Sequence, residues 1–152
     1  MPNYKTTNKL NSIDAAYIAG IIDGEGTVTL SRKHKSENRQ LSITISNTEI
    51  CLLDYILKAI GAGKITNKRI SKPHHTPSYT YAIYNRQALD LLKQIEPYLK
   101  TYKLKRASLI IEKYIALTPR NGKYSDELAS KRQYFENEVL AIKANQDTES
   151  ID

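Results

Sequence analysis

The feature that most constrains this chain is a change of period around residues 23 to 26. Before it, Ile13, Ala16, Tyr17, Gly20 and Ile21 recur at helical spacing behind Ser12, a candidate N-cap. After it, Thr27 to Lys33 alternates, with Val28 and Leu30 on one side and Thr27, Thr29 and Ser31 on the other, as a half-buried strand does. The residues between, Asp23-Gly24-Glu25-Gly26, stop the helix, and their glycines let the backbone turn sharply. Two carboxylates therefore share one tight turn.

The remaining elements repeat this scheme. Gln40 to Ser46 alternates Leu41, Ile43 and Ile45 against Gln40, Ser42, Thr44 and Ser46, so it pairs with the first strand across a polar loop at 33–39. Thr48, or Asn47 before it, caps a second helix carrying Ile50, Leu53, Ile56, Leu57 and Ile60 at helical period, ended by Gly61 and Gly63. Lys64 to Ile70 and Ser78 to Tyr84 make a second hairpin around a loop with Pro73 and Pro77. A third helix spans Arg86 to Ile95 before Pro97, a fourth runs from about Lys103 to Leu117, and a last spans Asp126 to Lys143. The order α-β-β-α-β-β-α plus extra helices is an α+β pattern with a mainly antiparallel sheet. At 152 residues the chain suits a single domain, with a core at about 12–117, a helical extension at 118–144 and a frayed tail at 145–152. There is no internal repeat.

Charge is distributed unevenly. Of the net +7, residues 31 to 106 hold 15 Lys/Arg against 5 Asp/Glu, leaving the rest mildly acidic. Such asymmetry fits a polyphosphate binder, and equally a lysine-rich solvated surface. Cys51 is the single cysteine, which excludes a disulfide within the chain; its apolar setting, Ile50-Cys51-Leu52-Leu53, predicts a buried thiol in a reducing compartment. With a polar start and no apolar run of membrane-spanning length, the expectation is a soluble intracellular protein. His74-His75 lies between prolines without a nearby Cys or third His, so it does not read as a zinc site. Among the eleven tyrosines, Tyr17, Tyr55, Tyr98, Tyr114 and Tyr134 fall where helix cores need bulk, which argues against a stacking platform for single strands.

The chemistry concentrates in the carboxylate turn. Asp23 and Glu25 need not share a direction: one can cap backbone amides while the other points outward to a metal, and hard Mg²⁺ suits such oxygen ligands. Ala16 and Gly20, four apart, allow another helix to approach closely. Alone, the turn reads first as a structural helix stop, and it does not complete an EF-hand loop. The whole segment Tyr17-Ile18-Ala19-Gly20-Ile21-Ile22-Asp23-Gly24-Glu25-Gly26, however, resembles the LAGLIDADG motif of homing endonucleases. Further landmarks follow in that family's usual order at Asn47-Thr48-Glu49, Ile60-Gly61-Ala62-Gly63, Glu96 to Lys100 and Lys103 to Ala107, so the resemblance covers about residues 12 to 117.

The resemblance implies an αββαββα core with a curved antiparallel sheet. It implies a metal held by the Glu25 carboxylate and the Gly24 carbonyl, with Asp23 at the helix end and Ala16, Ala19, Gly20 and Asp23 at the dimer interface. Lys103 matches the active-site lysine, with Lys100 and Lys105 as alternatives, and Asn47 is preferred to Glu49 for positioning water. One motif without a repeat implies a homodimer in which each chain reads half of a pseudo-palindromic duplex. The candidate base readers are Thr27, Thr29, Ser31, Lys33, Gln40, Ser42, Thr44, Ser46, Lys64, Thr66 and Lys68, with Arg69, Lys72 and Arg86 reaching phosphates or solvent. The implied activity is Mg²⁺-dependent hydrolysis of both strands of a long DNA site by an intron- or intein-type mobility enzyme, with intron RNA as a secondary partner. The alternative is a non-cleaving splicing factor (maturase) or DNA-binding regulator; such a protein tends to lose the turn's acid, which Glu25 retains.

Overall fold

The structure, a computed structural model, describes residues 5–67, 74 and 76–145. Helix α1 (Ser12–Glu25) is capped by Asn11 and not by Ser12: the Asn11 backbone is extended and its side chain accepts from the Asp14 N–H at 2.8 Å. Strand β1 (Gly26–Ser31) begins with the very next residue. That junction requires a glycine, because a Cβ on Gly26 would lie 2.8 Å from Ile22 Cα. There follow β2 (Gln40–Asn47), α2 (Ile50–Ile60), β3 (Lys64–Asn67), β4 (Tyr79–Tyr84), α3 (Asn85–Ile95), a 3₁₀ turn at Glu96–Tyr98, α4 (Tyr102–Lys113) and α5 (Asp126–Ala141). The order αββαββα with added helices is the α+β arrangement expected from the periodicities.

The strands form one antiparallel sheet in the order β1-β2-β4-β3. Its register sets Thr27 opposite Thr44, Thr44 opposite Ala82, and Ala82 opposite Lys64, so these four share a face. The other face carries Val28, Leu30, Leu41, Ile43, Ile45, Tyr81 and Ile83, all buried in the cluster that Ile18, Ile22, Leu53, Ile56, Leu92 and Ile110 of the helices complete. Among the described residues, the helices pack on this apolar face of the sheet.

Several boundaries and environments differ from the sequence reading. Helix α2 has Glu49 at its N-cap without a side-chain bond; Asn47 instead accepts from the Glu49 N–H at 2.8 Å, just ahead of the helix. Helix α4 ends at Lys113, and 114–117 continue as turns. Lys33 lies beyond β1, in the loop. Cys51 is exposed, because it sits in the first turn of α2 on the side away from buried Leu53. Tyr17 and Tyr134, expected to fill the core, are 53% and 68% exposed. The second-hairpin residues 68–73 and the tail beyond Asn145 lie outside the described residues.

Helix α5 is attached through a buried ion pair. Arg132 Nε donates to Glu136 Oε2 at 3.0 Å one helical turn away, and the two side chains are 2% and 7% exposed. The rest of the Arg132 guanidinium reaches Leu117 O at 3.2 Å, the Thr118 hydroxyl, and Arg39 O at 2.6 Å. Glu136 Oε1 in turn accepts from the Arg39 N–H at 3.3 Å. Both backbone groups of Arg39, at the foot of the β1–β2 loop, are thus held by α5. Arg132→Ala should cost about 3–5 kcal/mol, because it removes the close charged partner of a buried carboxylate and leaves it to the more distant Arg39. Urea unfolding checks this, and replacing Arg132 and Glu136 together by apolar residues should cost less than the single change.

Candidate functional site at the end of α1

The site begins with an unfavourable placement. Asp23 and Glu25 occupy the last turn of α1, where the helix dipole is negative, and no basic residue of α1 lies there. The compensation comes from α4. Lys103 Nζ donates to Ile22 O at 2.6 Å and to Asp23 O at 2.9 Å, two carbonyls of the helix end, the first of which also accepts the Gly26 N–H. Burial lowers the pKa of this ammonium from the ordinary lysine range, and the Asp23 carboxylate opposes that shift. The Asp23 side chain accepts from the Lys100 N–H at 2.8 Å, the Thr101 N–H at 3.2 Å and the Thr101 hydroxyl at 2.6 Å. Thr101 is itself the N-cap of α4, accepting from the Lys103 N–H. Asp23 and Lys103 therefore lock α1 to α4.

Glu25 behaves differently. Its side chain is exposed, and one carboxylate oxygen accepts from Asn47 Nδ2 at 2.6 Å. Asn47 can reach it because it ends β2 on the helix-facing parity, one residue past Ser46 on the polar side. Asn47 is also fixed through its oxygen by the Glu49 N–H, so its amide is oriented from both ends. Among the described residues no three His, Cys, Asp or Glu side chains converge on one point. A cation at Glu25 and the Gly24 carbonyl must then complete its shell with water, phosphate oxygens or a second chain, a mixture that Mg²⁺ accepts.

Sequence reasoning placed the other candidates unevenly. Ala16 and Gly20 do lie on an exposed stripe of α1 with Ile13, Tyr17 and Gly24, and a Cβ on Gly20 or Gly24 would meet nothing within 4 Å. Ala19, by contrast, has no exposed surface and packs in the chain's own core, and the half-buried Asp23 spends its carboxylate on α4. Apolar residues nearly all round α1 had left its phase open. At the stripe's far end Tyr55 donates to Asp14 at 2.5 Å and meets Tyr17 edge to face at 5.4 Å.

On the uncovered side of the sheet, Thr27, Lys64 and Thr66 are exposed, while Thr29, Ser31, Gln40, Thr44 and Ser46 are half-buried. Ser42 is an exception. It is 4% exposed, squeezed between its cross-strand partners Thr29 and Tyr84, and its hydroxyl accepts from Ser31. Ser42 is therefore not available as a reader. The Ser46 hydroxyl is paired with Thr80, which the sequence reading did not single out. Lys68 lies outside the described residues. Arg106, counted in the basic half, is buried with donors on Val28 O and Ile142 O.

The fold that sets this helix end beside the sheet is matched in known proteins. The family model described as LAGLIDADG endonuclease matches residues 18–117. The chain belongs to the LAGLIDADG endonuclease family. A relative, the intron-encoded DNA endonuclease ai2b of Dictyostelium discoideum, is 26% identical over 128 residues, covering 82% of this chain. The match takes in 47% of ai2b, so the chain spans about half the length of that curated relative. Among solved structures, the homing endonuclease I-CvuI in complex with its target superposes with a TM-score of 0.71 at 17% identity, over 89% of this chain and 85% of that one. The archaeal intron-encoded I-Vdi141I with DNA gives 0.67 at 17% identity, over 88% and 86%. The LAGLIDADG meganuclease I-AabMI, bound to uncleaved DNA, gives 0.60 at 24% identity, over 80% of this chain and 43% of that one. At these identities the likeness is one of fold. None of the described helices of this LAGLIDADG chain is long and apolar enough to cross a membrane.

Lys103→Met should cost about 1–3 kcal/mol, since it removes the charged donor shared by two helix-end carbonyls. Amide exchange should quicken in the last turn of α1 and at Thr101, and unchanged exchange there would remove Lys103 from its bracing role.

Proposed function

We propose that this chain is a site-specific double-strand DNA endonuclease of the homing type, acting as a homodimer with divalent metal held at Glu25. The observation that carries the reading is the contrast between the two acids of the motif turn. Asp23 is consumed by intrachain bonds, whereas Glu25 is exposed and, among the described residues, steadied by Asn47. A carboxylate kept at the wrong end of a helix without packing use breaks a local rule, which is where function is expected.

A second copy is favoured by the α1 stripe. Gly20 and Gly24 border open space, so nothing in this chain's own packing asks for glycine there. The fold match covers most of I-CvuI but less than half of I-AabMI, which fits one copy of the fold, and one half-site, per chain. Two copies joined by their α1 stripes bring two Glu25 turns together beneath a duplex lying on both polar sheets.

In the reaction, water attacks a backbone phosphorus, the P–O3′ bond breaks, and the departing 3′ oxygen takes a proton. Magnesium, when bound, supplies Lewis acidity for the water and the leaving oxygen. Glu25 and the Gly24 carbonyl would hold it, and Asn47 orients the carboxylate and presents an amide to solvent-side water. Lys103 contributes positive charge to the phosphate from the floor of the site while bracing α1. Gln and Lys on the sheet can pair with base edges in the major groove, with hydroxyls as adaptable partners. The second reading, a non-cleaving splicing factor or regulator, has no observation of its own in its favour.

Incubation with a randomised duplex library in Mg²⁺, followed by sequencing of cut ends, should yield one long pseudo-palindrome. Ca²⁺ in place of Mg²⁺, or Glu25→Gln, should leave it bound and uncut; cutting by the Glu25→Gln protein would overturn the assignment. Gly20→Leu should fold at least as stably as the parent, since leucine is the better helix former by about 1 kcal/mol, yet run as a monomer in sedimentation. A Gly20→Leu protein that still sediments as a dimer would rule out the α1 stripe as its seam.

A further inference from the structure

A cleft of about 820 Å³ opens at the end of the sheet remote from Glu25. Lys5, Arg86 and Arg120 line it together with Tyr84, Asn85 and Tyr124, and no lining residue is acidic. Three other surface clefts each contain carboxylates: Glu112 and Glu138 between α4 and α5, Asp90 beside the N-terminal segment, and Asp14 and Asp54 between α1 and α2. The basic cleft is therefore not a sample of a generally basic surface.

Its position continues the polar sheet. Tyr84 closes β4 opposite Ser42, and Asn85 Nδ2 donates to Gln40 at 3.4 Å, so the cleft adjoins the outer end of β2. From Asn47 beside Glu25 to Ser42, β2 covers about 17 Å. The walls are braced from within. Arg86 Nη2 donates to Thr118 O at 3.0 Å, the Tyr124 hydroxyl to Leu117 O at 3.3 Å and the Tyr114 hydroxyl to Asn85 at 3.4 Å. The wall from Thr118 to Tyr124 lies just beyond the family match, which ends at residue 117.

Cations with amide and hydroxyl donors, and no acidic residue in the lining, suit a polyanion recognised without reading its sequence. We infer that this cleft binds the phosphodiester backbone of duplex DNA outside the base pairs that face the sheet, lengthening each half-site contact. The inference rests on the DNA-cleaving reading proposed above. Lys5 and Arg120 are the exposed members, and they add charge without building the fold, whereas Arg86 also joins α3 to the wall.

The test uses the full chain and its selected site as two duplexes. One is full length; the other is trimmed to about 5 base pairs on each side of the centre, the reach of a 17 Å strand at 3.4 Å per step. The dissociation constant is measured against salt for the parent and for Lys5→Gln/Arg120→Gln. On the full-length duplex the double variant should lose about 0.9 in logarithmic salt slope for each phosphate contact removed, so about 2 per bound chain. On the trimmed duplex the two proteins should give the same slope. Equal slopes on the full-length duplex overturn the inference and leave the cleavage reading standing, as does a loss of equal size on both duplexes. A parent protein that binds no duplex at all takes both down together.

Discussion

Much of this molecule depends on one ammonium group placed against the end of one helix. The chain puts two carboxylates at the negative pole of α1 and supplies no cation from α1 itself. Lys103, arriving from α4, meets the carbonyls of Ile22 and Asp23 and turns an unfavourable end into an anchored one. Ile22 O also receives the Gly26 N–H, so the same carbonyl terminates the helix, begins the strand and ties in α4. With Asp23 bound to the entry of α4, one of the two acids is neutralised structurally and the other is left to solvent.

Charge in this fold is divided between interior and exterior work. Lys103, Arg106 and Arg132 are buried and bonded mainly to carbonyls, joining α1 to α4, α4 to β1, and α5 to the β1–β2 loop. A count of basic residues therefore overstates the field offered to an external polyanion. What remains outside is shared between the sheet, its loops and the basic cleft, as at Arg32, Lys33, Lys35, Lys64 and Arg120, and the helices, as at Lys58, Lys93 and Lys131. This distribution is more informative than the net charge, because a phosphate responds to where cations lie within about 10 Å.

The order of elements was legible because each carries its own period. Val28 and Leu30 against Thr27 and Thr29 could belong to nothing but a half-buried strand, and Leu53, Ile56 and Ile60 mark the inner side of α2. Phase was harder where both sides of a helix are apolar: Ile18, Ala19, Ile21 and Ile22 hide the division in α1, and Ala19 was assigned outward although the core claims it. Long-range partners were not readable at all. Nothing in the spacing of Arg132 and Glu136 distinguishes a solvated pair on one helix turn from the buried pair that grips Arg39, 93 residues away. The motif turn was legible as a unit, yet only the fold assigns Asp23 to α4 and Glu25 to Asn47.

Helix α1 is pinned at both extremities by distant parts of the chain. Next to its amino end the Leu10 N–H donates to Gln94 at 2.6 Å, and at its carboxyl end Lys103 and Thr101 close on it. Fourteen residues make a rod about 21 Å long. Such a rod is tied at both ends to α3 and to α4, as a strut is to its frame. In two copies joined along their bare stripes, the separation of the two carboxylate tips would be set by how closely two such rods can lie.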